Sequence, residues 1–364
     1  MPRAPRQAPF TDLFIHCGLL LALTGGFGMA AALAAQEAFD IRLARWWPVL
    51  VQVHGHTQIF GWLGLFIMGV SLYFLPRFAG VPLRSPAAAT LSAALLAVGI
   101  AGRGISQIGL FAGIGAWGPV LQAASAAQLT GVMLYVALVL DCVTTARPER
   151  KAFHALRLCF LSMLVGWIAS TALITWHSMM AVAQMGFLHP LWNQLGLDLF
   201  VGFVLLPVAF AFSIRTFPLY LRLPAVRWHV GRVVGLYLVS QTLQSVIAAA
   251  ELVGTGHSSG TASILWLGPA GQVLKGLAIL LFIWRLALLT RRQPAWIIGR
   301  DGSPPEQPRL HRQPRAHLPD YGEFGHFEWH IYLAYAFLVL AAGIDLSPFE
   351  TPGDPGERLT IKVK

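Results

Sequence analysis

Charge is scarce in this chain: Asp, Glu, Lys and Arg together make up 12% of its 364 residues, about half the ~25% usual in soluble domains. A water-soluble enzyme could not solvate its surface with so few ionic groups, and a disordered chain would carry more charge and fewer apolar residues. Cysteine is scarce as well. Cys17, Cys142 and Cys159 fall inside or at the ends of apolar stretches. They have neither metal-ligand nor disulfide spacing, which marks them as inert core thiols. The sequence also has no internal repeat, no soluble domain and no nucleotide-binding glycine loop.

Hydrophobic residues fill the space instead, at 56% and a mean hydropathy of +0.62. A membrane-spanning helix needs about 20 mostly apolar residues. Runs of that kind occur at 12–36, 47–76, 87–111, 117–143, 153–184, 191–214, 233–253, 263–289 and 329–346. The fold expected is therefore all-α, a polytopic transmembrane helical bundle of about nine spans forming one integral membrane domain over 1–364. The first run follows Arg3 and Arg6 and ends on small residues, as a signal peptide would, but its apolar stretch is too long for one and reads as an uncleaved span.

The net charge of +10 and a pI near 10.1 would suggest nucleic acid for a soluble protein. Here the basic residues lie mostly in short loops, where they report topology. Counting from the N-terminal side, 18 Lys and Arg fall on one side and 5 on the other. Loops 112–116, 185–190 and 254–262 carry none. The N-terminus is thus expected in the cytoplasm. The Pro- and Arg-rich stretch 290–328 is expected as a cytoplasmic linker, and 347–364 as a polar tail on the outer side.

Ionisable and strongly polar side chains at membrane depth are costly and mark ligands, pathways or buried pairs. His54 and His56 lie 7 and 9 residues past Trp47 in the second run, roughly 10 to 14 Å along a helix. Two positions apart on a helix means about 200° around it, so one centre cannot take both: they serve different centres, or one is a ligand and the other a packing residue. Gly55, Gly61, Gly64 and Gly69 leave room beside them for another helix or a flat macrocycle. His177, Arg103 and Gln107 fall at the same depth, with His189 at the adjoining loop. Two neutral imidazoles from facing helices suit six-coordinate haem iron, and further imidazoles suit copper. Arg103 fits a haem propionate through two donors, or pairs with Asp198. Lys275 pairs with Asp198 or belongs to a proton path. His326 and His330, four apart, could form a surface metal site with Glu323 and Glu328.

The stretch VHGHTQIFGWLGLFIMGVSLYFLPRFAG, the Ala-Gly-Arg at 101–103, RTFPLYLRLP at 215–224 and the late FEWHIYLAYAFLVLAAG together resemble the NnrS family. Its members are polytopic haem- and copper-containing inner-membrane proteins of bacteria linked to the nitric oxide response. A more distant likeness is to the catalytic subunit of haem-copper oxidases. The resemblance spans roughly residues 12–346. It implies haem b and copper as cofactors, with the family's paired histidines on His54 and His56, its Gly-Arg on Gly102 and Arg103, and its Arg-x-x-Pro on Arg215 and Pro218. Nitric oxide would be a ligand, and a quinol or other electron donor a partner. Thr57 stands where the family pattern has an acid. Members carry further spans, so 347–364 would be a truncation point. Two other readings remain open: a small-solute transporter built on the same intramembrane residues, and a quinol-linked oxidase-like enzyme, which would need three copper imidazoles.

Overall fold

The computed structural model describes residues 9–39, 46–220, 226–253, 267–288 and 328–346. Among the described residues, eight helices are long and apolar enough to cross a membrane: α1 (Phe10–Ala38), α2 (Trp47–Ala79), α3 (Pro86–Phe111), α4 (Trp117–Thr145), α5 (Arg157–Gln184), α6 (Pro190–Pro218), α7 (Val230–Leu252) and α8 (Leu267–Leu286). A ninth, α9 (Glu328–Leu346), carries a shorter apolar stretch. No strand occurs among the described residues. The linker up to Glu328, the tail from 347, and His257 and His326 lie outside the described residues, so the surface metal site expected at His326 and His330 does too. The nine apolar runs thus correspond to nine helices, and the protein is a multi-pass membrane protein. Large apolar side chains point outward along these helices, among them Leu23, Val98, Val165 and Val246, each more than half exposed. Water would not tolerate that surface; lipid does.

The chain divides into two compact units, Met1–Val208 and Ala209–Lys364. In the first, helix starts follow local chemistry. The Ser85 hydroxyl accepts from Ala88 N at 3.1 Å, with Pro86 behind it in the first turn, and Pro48 and Pro190 open α2 and α6. Proline suits that position because its missing N–H is one the helix could not pair. Gly80 ends α2 in the left-handed region at φ 76°. A one-turn helix, Lys151–Ala155, precedes α5, so the run expected from 153 breaks at Leu156, whose N–H bonds to Phe153 O.

The antiparallel pair α3–α4 is close-packed through small residues. A Cβ at Gly99 would lie 2.7 Å from Gln128 N, and one at Gly131 would lie 3.0 Å from Ser92 O. Ser92 Oγ donates to Gly131 O at 2.7 Å. Backbones that approach this closely are the usual means of joining helices where no hydrophobic drive exists between them.

Three helices contain wide π-turns, at Ala22–Gly26, Thr57–Gly64 and Val201–Leu205. Regular periodicity gives no hint of them. Such turns displace backbone groups from the i to i−4 ladder and recur at functional sites.

In the second unit, Phe210 stacks on Phe282 (4.1 Å between centroids) and packs edge-on against Tyr237. Lys275 donates to Gln244 Oε1 at 3.1 Å, and Tyr335 bonds Ser213.

Candidate functional site

His54, His56, Arg103, Gln107, His177 and His189 lie in the first unit, toward the end of the helices that carries loops 112–116 and 185–189, while Arg215, Pro218, Lys275 and His330 belong to the second. His54 and His56 leave α2 in different directions, as 200° requires. His54 is half-buried, and its Nδ1 lies 3.0 Å from Gly26 O. A carbonyl only accepts, so Nδ1 carries the proton and Nε2 is the bare nitrogen. The acceptor is supplied by the π-turn of α1, where Gly26 has φ −81° and ψ −104°, outside helical geometry. Glycine is required around this contact, since a Cβ at Gly25 would come within 2.8 Å of Thr57 Cγ2.

The four glycines of α2 divide. Gly64 packs under Trp167 and Gly69 under Phe14, leaving no room for a side chain, and a Cβ at Gly61 would press on Leu21 at 3.2 Å, whereas one at Gly55 would meet nothing within 4 Å. Three therefore admit protein, and only the one next to His54 borders open space.

His56 is 3% exposed. Its Nε2 bonds Gln128 Oε1 on α4 at 3.0 Å, its ring stacks on Phe60 at 4.7 Å, and its Nδ1 has no partner. Arg103 lies within electrostatic reach. Its guanidinium, 1% exposed, donates from Nε to Ser178 Oγ on α5 at 3.0 Å, and Nη1 has no partner. Ser178 in turn donates to Ile174 O at 2.8 Å, which directs its lone pairs at the arginine. One turn earlier, Thr175 Oγ1 reaches Ser125 O on α4 at 3.4 Å. Four helices thus close a ring of polar side chains: His56, Gln128 with Ser125, Thr175 with Ser178, and Arg103.

Below the ring the floor is aromatic. Phe60, Trp167 and Phe200 contact one another at centroid distances of 4.9 to 6.1 Å, and Tyr135 adjoins Trp167 at 6.0 Å. Above it the loop after α5 is tied down. Gln107 Nε2 donates to Gly186 O at 2.9 Å. Gln52 both donates to Leu188 O (2.6 Å) and accepts from Leu188 N (3.1 Å). Met185 and Gly186 make the turn with φ of 53° and 80°.

His177 turns away from the ring. It is half-buried and stacks on Trp192 of α6 at 4.8 Å, with exposed His189 within electrostatic reach. Among the described residues no three His, Cys, Asp or Glu gather as a metal group. The ring partners of His177 and His56 are Trp192 and Phe60. Asp198 accepts from Gln194 of its own helix at 2.8 Å, while the Arg103 guanidinium bonds Ser178. Cys142 and Cys159 are buried free thiols, and Cys17 is a half-buried one.

Sequence reasoning missed Gln128, Ser125, Thr175, Ser178 and the Gly26 carbonyl. A glutamine amid the small residues of AASAAQLTG was the one signal available for Gln128. The chain matches no protein-family model, no curated protein and no solved structure.

Proposed function

We propose that this protein is a haem-binding, multi-pass protein of the bacterial inner membrane that takes part in the response to nitric oxide, as its NnrS-like motifs suggest. The observation that carries the reading is His54. Its Nδ1–H is committed to the Gly26 carbonyl, which in the neutral imidazole leaves Nε2 as the ligating nitrogen, and the adjacent Gly55 has nothing within 4 Å of where a Cβ would lie. A ligating histidine is typically oriented in this way, by a carbonyl on its other nitrogen. The haem held there would supply affinity for nitric oxide and a redox centre for a membrane quinol or other electron donor. The chain's own part is to hold the imidazole in one tautomer and one orientation.

The fit is to a single protein imidazole rather than to the facing pair, because His177 stacks on Trp192 and His56 is engaged by Gln128. Arg103 lies on the His56 side, so haem retention is assigned to His54 and its carbonyl rather than to a propionate clasp. Copper would have only His177 with His189. The excess of Lys and Arg on one side supports a cytoplasmic N-terminus.

The test is the absorption spectrum of detergent-purified protein from haem-replete cells, with haem per protein determined. A Soret band is expected. His54→Ala should lose most of the haem, while His56→Ala and His177→Ala retain it. Absence of a Soret band would overturn the reading in favour of a solute transporter, and full haem in His54→Ala would move the ligand elsewhere.

A further inference from the structure

A guanidinium buried in a membrane bundle is normally compensated by a carboxylate or by snorkelling to the interface. Arg103 has neither: it is 1% exposed, and the hydrogen bond its guanidinium makes goes to a hydroxyl. The neutral Ser178 hydroxyl orients it without cancelling its charge.

Around it lie further donors without partners. Gln128 offers Nε2, its Oε1 being occupied by His56, and Ser125 offers Oγ. The packing of α3 on α4 sets these at one level. Gly99, a turn before Arg103, lies against Gln128 N, and Gly102 lies against Ala124 Cβ at 3.1 Å. Arg103 thus sits beside the Ala124–Gln128 turn, and the Thr175 contact brings α5 to Ser125.

We propose that Arg103, Gln128 and Ser125 bind a small monovalent anion, of the class of nitrite, nitrate or a halide, in the closed centre of α2–α5. No carboxylate belongs to the ring to repel it. One uncompensated positive charge matches one negative charge, so a divalent anion would exchange an excess of one sign for an excess of the other. A water molecule could satisfy Nη1 and Nε2 but would leave the charge standing in a site floored by Phe60, Trp167 and Phe200, where low polarity makes the charge most costly. The aromatic floor and the tied loop above also limit the ligand to a few atoms. This site is separate from the His54 side of α2 and does not depend on the haem reading.

The experiment titrates the full-length protein in detergent, at constant ionic strength set with gluconate, with sodium nitrite, nitrate, chloride, bromide or sulfate, and reads thermal unfolding. A ligand that binds only the native state raises Tm in a concentration-dependent way. The expected result is a saturable rise with one or more of the monovalent anions and little with sulfate. Arg103→Gln should abolish it, and Arg103→Lys should retain a weaker response. Gln128→Leu should raise the half-effect concentration about tenfold or more, the loss expected of a hydrogen bond to a charged partner. Arg84→Gln, an exposed cation, should titrate like the parent. If Arg103→Gln does not fold, Gln128→Leu and Ser125→Ala decide. The proposal is overturned by a flat titration with every monovalent anion, by an equal response to sulfate, or by unchanged half-effects in the ring variants. The readout needs no Soret band, so failure of the haem reading and failure of this one are seen separately.

Discussion

Gln52→Leu is the most informative stability test, because one side chain holds both backbone groups of Leu188, in a loop that Gln107 ties at Gly186, by two opposed hydrogen bonds. Its amide gives Nε2–H to Leu188 O at 2.6 Å and takes Leu188 N–H at 3.1 Å. Leu188 is 1% exposed and Gln52 8%, so neither backbone group would find water once the amide is gone. Interhelical hydrogen bonds in membrane proteins average ~0.6 kcal/mol and reach ~1.7. Two of them therefore set a range of about 1.2 to 3.4 kcal/mol for the substitution. The upper part is expected here, since both Leu188 groups are left buried without the amide that pairs them. Gln52→Glu should fall between parent and Gln52→Leu, keeping an acceptor for Leu188 N while losing the donor to Leu188 O. Denaturing-detergent titration of the purified protein gives the free energies, and protease or thiol access to 185–189 gives the local consequence. Less than about 0.5 kcal/mol for Gln52→Leu, with the loop still protected, would show that the loop is held by something other than this amide.

Gly99→Val should prevent α3 and α4 from closing, because its first added atom already lies 2.7 Å from a backbone nitrogen; yield of folded protein after detergent extraction should collapse, where Ala at the open position Gly55 leaves it unchanged. Arg84→Gln removes the Arg84–Asp141 pair, whose arginine is 78% exposed, and should change stability by less than about 0.5 kcal/mol, measured in the same denaturing titration. In a background without the native cysteines, Ile114→Cys should react with an impermeant maleimide from the periplasm and Ser303→Cys should not; the reverse pattern would invert the topology inferred from Lys and Arg.

What could be read from the sequence was what depends on one helix at a time. Nine apolar runs correspond to nine helices, and the 200° between His54 and His56 correctly sends them to different neighbours, Gly26 and Gln128. The common level of Arg103 and Gln107 with the loop after α5 also follows from counting residues along helices, and Gln107 does reach Gly186. Facing partners did not follow, because depth says nothing about rotation. His177 and Ser178 share a level on α5 but stand about 100° apart, and it is the serine that meets Arg103 while the histidine meets Trp192. The choice between them rests on how α5 packs against α3 and α6, which no spacing within α5 encodes.

The π-turns explain how one helix can present two unlike sites two residues apart. α2 is regular through His56 and widens at Thr57–Gly64, directly opposite the widened Ala22–Gly26 of α1, where Gly25 lies against Thr57. At the transition Thr57 donates its hydroxyl to Val53 O at 2.8 Å, a carbonyl that its own backbone N–H also bonds. On the α1 side the same widening leaves Gly26 O to be spent on His54. The two distortions meet at one contact, where a Cβ on Gly25 would come within 2.8 Å of the Thr57 methyl group, so the close approach of α1 to α2 depends on that glycine. The result is an imidazole tuned by a neutral carbonyl on one face of α2 and a dry, cationic ring on the other, with no acidic group between them to link the two by charge.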